Sequence, residues 1–428
     1  MRIDHNRRWK IFAVAGAAMA LVAGMATTVP NTYAAGTIKA DDDKWISVGM
    51  GTRTSFNMVE DGSASGGQYS NTFGVNNARI YINGKIHKYV GFEFNTECFA
   101  CNVPNNTGTA AFGSNSTVGL LDAIGKFEIT EQVNVWFGRM LIPTERGELN
   151  GPFYHAVFDG FRTPFNTSDF SGNFGVGGSG LYGRDNGVTF FGKIHPGGTH
   201  LQYVAGVYSG LKSAAGAGPN QRDSLKYAGR LTWNLLNEEK NPGYYTSGTY
   251  YGTAGDILAI AVGGEYQNAG AGSFANQSRF GSVVSDLLFE KVLSNNGGVF
   301  TVNAEFKRYW AQDSAAAFTD AGGCFCMFGG TSWTGYALYM FPQEIGIGRF
   351  QPYGRYTGLN SQFGGAREEY ELGMNYVIAG HNARISTYWR TGTIGSSTAT
   401  FNNQNLNYAP GSRGQHVDSF TVALQLQY

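Results

Sequence analysis

The chain closes on Phe420-Thr421-Val422-Ala423-Leu424-Gln425-Leu426-Gln427-Tyr428. Phe420, Val422, Leu424, Leu426 and Tyr428 are apolar, and Thr421, Ala423, Gln425 and Gln427 between them are polar or small. A repeat of two residues is the repeat of a β-strand, whose side chains alternate between faces. One face of this strand therefore meets an apolar phase and the other a polar one.

The same alternation recurs along the chain. Ile46, Val48, Met50 and Phe56 alternate with Ser47, Gly49, Gly51, Arg53 and Ser55, and Ala78, Ile80, Ile82 and Ile86 with Arg79, Tyr81, Asn83 and Lys85. Leu225, Tyr227, Leu231, Trp233 and Leu235 face away from Lys226, Ala228, Arg230, Thr232 and Asn234. Phe300, Val302, Ala304 and Phe306 oppose Thr301, Asn303, Glu305 and Lys307, and Tyr370, Leu372, Met374, Tyr376 and Ile378 oppose Glu369, Glu371, Gly373 and Asn375. Counted this way there are about sixteen segments, near 44–56, 75–86, 89–97, 119–129, 132–140, 186–194, 200–208, 224–236, 256–266, 282–292, 298–309, 332–341, 344–357, 367–378, 382–391 and 416–428. Strands of about 9–11 residues with this dyad suit the wall of an antiparallel β-barrel in lipid, where every backbone group must pair within a closed sheet.

The first residues read as an address rather than as structure. Arg2, Arg7, Arg8 and Lys10 precede an apolar run from Ile11 to Met25, and Thr32-Tyr33-Ala34 offers a cleavage site before Ala35. This predicts a signal peptide over 1–34 and a barrel over 35–428. The apolar run is too short for a spanning helix. Removing it takes four of the 31 Lys+Arg and one of the 31 Asp+Glu, leaving 27 against 30. That near-neutral balance gives no reason to expect a nucleic-acid partner. Charged residues and aromatics each make up 14% of the chain, with 62 Gly, which suits many strands joined by small-residue turns rather than disorder.

With both termini placed in the periplasm, alternate connections are short: His87-Lys88, Thr130-Glu131, Asn295-Asn296-Gly297, Pro342-Gln343 and Gly380-His381. The others, including 98–118, 141–185 and 392–415, are long, the asymmetry of membrane barrels with long extracellular loops. The Tyr- and Gly-rich stretch from Asn237 to Gly255 breaks the rule. It is either an additional hairpin or a periplasmic flap.

One hairpin carries a family likeness. The segment from Gly119 to Met140, continuing through Val135-Trp136-Phe137-Gly138-Arg139-Met140-Leu141-Ile142-Pro143, resembles the phosphate-selective porins O and P. Gly183-Arg184-Asp185-Asn186-Gly187-Val188, Gln351-Pro352-Tyr353-Gly354-Arg355-Tyr356 and Glu371-Leu372-Gly373-Met374-Asn375-Tyr376 are similar to later parts of that family. The resemblance implies a sixteen-stranded trimeric barrel, with the third loop folded in to narrow each pore. It implies an outer-membrane setting with lipid and lipopolysaccharide around the barrel. By resemblance to outer-membrane barrels, the aromatic strand ending at Tyr428 looks like the signal read by the barrel-assembly machinery.

Selectivity carries over less directly. Arg139, Arg146, Arg162 and Arg184 flank or lie within the third loop, interspersed with Glu145, Glu148, Asp159, Asp169 and Asp185. Phosphate capture calls for uncompensated arginine donors, whereas mixed signs make a cross-pore field that filters dipolar solutes. Arg139, Glu145, Arg146, Glu148, Asp159, Arg162 and Arg184 are thus the candidates for shaping conductance, or else they pair to pin the loop. The expected function is passive, weakly selective diffusion of small hydrophilic solutes or ions, anions such as phosphate among them. Neither a catalytic step nor a cofactor is expected. A barrel hydrolase built from Ser, His and Asp on separate strands, and a barrel acting through its surface loops, are the alternatives.

Cys98, Cys101, Cys324 and Cys326 fall in two surface loops. They could supply four thiolates to a metal, but an oxidising compartment favours disulfides, within or between the loops. The histidines are scattered, with His195 and His200 bracketing a turn at Pro196-Gly197-Gly198. Trp45, Trp136, Trp233, Trp310, Trp333 and Trp389 suit the aromatic girdles of a membrane barrel or a sugar-stacking track inside it.

Overall fold

The computed structural model describes residues 36–60, 69–99, 117–160, 163, 183–210, 224–272, 277–295, 297–311, 329–361, 365–394 and 416–428. The proposed signal segment and the tips of most long connections lie outside them. In chain order the strands are β1 (Gly36–Asp41), β2 (Lys44–Val59), β3 (Ser70–His87), β4 (Val90–Phe99), β5 (Thr117–Glu128), β6 (Asn134–Leu141), β7 (Arg184–Ile194), β8 (His200–Tyr208) and β9 (Lys226–Asn234). They continue as β10 (Ile257–Gly272), β11 (Gln277–Val292), β12 (Val299–Ala311), β13 (Gly330–Met340), β14 (Arg349–Ser361), β15 (Gly365–Val377), β16 (Ala383–Gly392) and β17 (Val417–Gln427).

Each strand from β2 to β17 pairs antiparallel with its sequence neighbours, and β17 pairs with β2 from Ser419↔Val59 to Gln427↔Gly51. The sheet thus closes on itself as a sixteen-stranded barrel with no free edge, so the spanning backbone needs no water. Tyr428 exchanges two backbone hydrogen bonds with Met50, at 2.9 and 2.7 Å. The short β1 takes up the next places along β2, from Gly36↔Val48 to Lys39↔Trp45. It lies end to end with β17 in a single strand position.

The alternation assigns the two surfaces. Met50, Phe137, Tyr227, Leu231, Val262 and Leu372 point out of the barrel and are exposed. Arg53, Glu93, Arg230, Glu265, Asp286, Glu305, Arg355, Glu371 and Arg390, on the opposite phase, are buried inside it. An exposed apolar exterior around a buried charged interior inverts a water-soluble protein and matches a wall whose outer solvent is lipid. Trp233, Trp310 and Trp389 stand on the outer face. Trp136 instead turns inward and is wholly buried, with its ring 5.1 Å from Phe191 and 5.2 Å from Tyr244. A structural core inside the lumen explains that tryptophan, rather than a girdle or a sugar track.

The weakest of the expected segments, 282–292, is fully formed within β11. The stretch from 237 to 255 is not a further hairpin. Its ends continue the β9–β10 ladder, with Leu235 N–H donating to Leu258 O at 2.8 Å and Asn237 N–H to Asp256 O at 3.1 Å. The residues between then turn into the barrel.

Candidate functional site

Two chain segments occupy the lumen. The first leaves β6 as the third loop. Gly138 allows close strand packing at this exit: its φ is +135°, and a Cβ there would lie 2.0 Å from Ala123 O. A short helix, α1 (Arg146–Asn150), follows and ends at Gly151, whose N–H donates to Glu148 O. Nearly every residue from Leu141 to Asp159 is buried. Leu141, Ile142 and Leu149 pack with Ile124, Trp136, Phe191, Val204 and Tyr208 of the β5–β8 wall. Ala156, Val157 and Phe158 pack on Tyr336, Leu338, Tyr353 and Tyr388 of β13, β14 and β16. The loop therefore crosses the lumen from one wall to another.

Charge fixes its course. Arg146 donates to both carboxylate oxygens of Glu239, at 2.8 and 2.7 Å, to Asp286 Oδ1 at 2.9 Å, and to Ser247 O at 3.0 Å. Burial opposes the Arg146 charge, but Glu239 and Asp286 more than offset it and hold the guanidinium protonated. Glu145 accepts from Lys307 and from Tyr309 Oη at 3.1 Å, and Glu305 accepts from Gly147 N–H at 2.8 Å. Burial, with Glu148 alongside, pushes the Glu145 carboxyl well above the usual range despite Lys307.

Past the helix, wall arginines grip the backbone of the loop. Arg53 donates to Phe158 O and Arg355 to Asp159 O, while Arg384 donates to His155 O at 2.9 Å and Ala156 O at 3.0 Å. Arg390 bridges Asp159 Oδ2 at 2.8 Å and Glu371 Oε2 at 2.8 Å. Burial and the neighbouring Arg53 and Arg355 charges drive the pKa of His155 well below that of a free imidazole.

The second segment is 237–255, from the short-turn rim. Tyr244 packs on Trp136 and donates its hydroxyl to Leu141 O at 2.6 Å. Gly243, at φ +57°, passes so close to the Trp136 ring that a Cβ would lie 2.3 Å from it. Thr246 Oγ1 donates to Asn150 Oδ1 at 2.8 Å, and Gly248 N–H to Tyr154 O at 2.8 Å. Glu290 of β11 accepts from Thr249 Oγ1 at 2.6 Å and from the N–H groups of Tyr250 and Gly252 at 3.0 and 2.8 Å. The two inserts meet inside the barrel as one body.

Of the residues singled out from sequence, Glu145, Arg146 and Glu148 gather at the short helix of the third loop, whereas Asp159 lies at the loop's far end beside Arg390; all four are buried. Arg139 is half-buried on β6, donating to Leu121 O at 2.9 Å, and Arg184 pairs with Asp122 at 3.0 Å beside the start of β7. Both stand at the loop's roots rather than at its crossing. Arg162 lies outside the described residues. Cys98 is buried and disulfide-bonded, whereas Cys101, Cys324 and Cys326 lie outside the described residues. Sequence reading left unassigned the wall partners Arg53, Arg355, Arg384, Arg390, Asp286, Glu290 and Lys307, and Glu239 in the second insert. Their shared signal is a charge on the inward phase of a strand, or a connection longer than its hairpin needs.

Ser247 and His381 lie 3.0 Å apart on a cavity of about 480 Å³ at the short-turn rim. His381 Nε2 is also 2.9 Å from Thr249 O, so that nitrogen carries the proton and cannot take one from Ser247. With Nε2 as the donor to Thr249 O, the pair does not serve as a nucleophile and its general base, although its separation would allow one.

No protein-family model and no curated protein sequence matches the chain. Among solved structures it is similar to the anion-selective porin from Comamonas acidovorans, with a TM-score of 0.54 and 11% identity over 90% of this chain and 99% of the other. Salmonella typhi OmpF, solved with daunomycin, gives a TM-score of 0.51 at 12% identity, over 92% and 100% of the two chains. The in-vitro folded OmpT of Vibrio cholerae, an outer-membrane protein in trimer form, gives 0.50 at 11% identity, over 90% and 100%. These likenesses define the class of the fold: an antiparallel sixteen-stranded barrel of the porin type.

Proposed function

We propose that the protein is an outer-membrane porin through which small hydrophilic solutes or ions diffuse passively with weak charge selectivity. The observation that carries this reading is a closed barrel with an apolar exterior, a charged interior, and a third loop crossing the lumen. Such a wall separates lipid from a polar conduit, and the loop sets its width. Export by the 1–34 segment and assembly through the strand ending at Tyr428 accord with this reading. So does a homotrimer with lipopolysaccharide around it, as the resemblance to porins O and P implies.

Arg146, Asp159 and Arg184 each have a carboxylate or guanidinium partner, which favours mixed-charge filtering over phosphate capture. A hydrolase is disfavoured by the protonated Nε2 of His381 beside Ser247. Single-channel recording of refolded protein in a planar bilayer is the test. Discrete ohmic steps, in groups of three for a trimer, are expected. A folded barrel that stays silent would end this reading.

A further inference from the structure

We infer that the β9–β10 connection, residues 237–255, is a second constriction element, locked into the lumen by Arg146 and Glu290, that sets the pore's cross-section together with the third loop. The inference rests on the lumen being the conduit.

The hairpin itself does not need this segment. β9 and β10 remain paired as far as Asn237 and Asp256, so a tight turn could join them there, as at the Gly380-His381 turn. The surplus chain is nonetheless built in. Thr246, Ser247 and Thr249 are almost wholly buried, and Tyr244 is fully so. Polar groups at this depth are costly unless bonded, and here they are bonded on both sides. On one side are Arg146 O, Asn150 Oδ1 and Tyr154 O of the third loop; on the other is Glu290 of the wall.

Arg146 is the shared fastening. Its guanidinium reaches the wall at Asp286 and the second insert at Glu239 and Ser247 O, while its own carbonyl accepts from Thr246. Asp286 keeps a second arginine, Arg230, at 2.5 and 2.8 Å, whereas Glu239 relies on Arg146 and the hydroxyl of Tyr250, at 3.0 Å. Loss of the bond from Arg146 to Glu239 would therefore loosen the insert's hold on the third loop and leave Asp286 paired with Arg230, while Glu290 still ties the insert to the wall.

The experiment compares the full chain with two variants in planar bilayers. One deletes 239–254, joining Glu238 to Gly255; the other is Glu290→Gln, which keeps side-chain shape and removes the charged acceptor. Circular dichroism and heat-modified mobility establish that each barrel is folded. Hydrogen exchange supplies a readout independent of conductance. In the full chain the Gly248, Tyr250 and Gly252 amides are expected to be protected. In Glu290→Gln the last two exchange about tenfold faster, since a charge-assisted acceptor is lost.

Both variants should conduct in larger steps and pass larger solutes than the full chain, the deletion more so. Equal conductance of all three, or unprotected amides in the full chain, overturns the inference while leaving the porin reading intact. Silence from all three folded barrels overturns both.

Discussion

His381 stands in the turn between β15 and β16, where the second insert meets the wall. Its Nε2 faces Ser247 Oγ at 3.0 Å and Thr249 O at 2.9 Å, and its ring lies 5.2 Å from that of Tyr154 and 4.9 Å from that of Tyr251. Arg384 of β16 is the charged group closest in effect. Burial and that arginine lower the His381 pKa to about 3. The seated form thus resists protonation, whereas a withdrawn insert would leave an ordinary imidazole titrating at about 6.5. Seating has its full stability above pH ~6.5 and loses it progressively as pH falls from there toward about 3. Conductance should therefore rise between pH 7.5 and pH 5, before most carboxylates titrate, and His381→Asn should flatten that rise. A profile unchanged by His381→Asn would show that acid acts elsewhere.

Elements are specified here by alternation alone, and β10 shows the consequence. Val262 points outward and is 50% exposed, while Ala261 beside it is buried in the lumen. A lysine at Val262 would place its charge against lipid, at a cost of about 2–4 kcal/mol if the position lies at the bilayer midplane. Urea unfolding of Val262→Lys in lipid vesicles should show a loss of that order, and a loss near zero would mean that this face does not meet lipid. The same periodicity made all sixteen barrel strands legible in the sequence, including the weak 282–292, because wall residues have only two environments to choose between. It could not place 237–255. Tyr244, Tyr245, Tyr250 and Tyr251 have no period, and their burial depends on Trp136, Leu141 and Glu290, which are remote in sequence. The same limit hid the partners of the third loop. Arg146 was legible as a pore charge, but its pairing with Glu239 and Asp286 exists only once the barrel closes.

Across the whole molecule, the lumen charges form two unlike arcs joined by the inserts. Glu239, Glu265, Asp286, Glu290 and Glu305 gather on the side of β10–β12, with Lys226, Arg230 and Lys307 among them, while Arg53, Arg355, Arg367, Arg384 and Arg390 line β2 and β14–β16, with Glu369 and Glu371 among them. A field across the pore follows from this placement, with opposite signs on facing walls and little net preference along the axis. Glu371 is the hinge of that balance, since it binds Arg355, Arg390 at 2.8 Å, and the Tyr353 hydroxyl at 2.7 Å. Glu371→Gln removes one negative charge where Asp159 of the loop meets the wall, and Arg390→Gln removes one positive charge from the same place. A unit charge about 10 Å from a passing ion is worth roughly 0.6 kcal/mol at an effective dielectric of 20 with screening at 0.1 M salt. Because that energy has opposite sign for K⁺ and Cl⁻, each substitution should shift the K⁺/Cl⁻ permeability ratio about eightfold, measured as reversal potential under a KCl gradient. The two shifts should have opposite signs, toward chloride for Glu371→Gln and toward potassium for Arg390→Gln. Shifts of the same sign would mean that both substitutions act by loosening the loop, and that the paired charges hold the constriction in place without reading the ions that cross it.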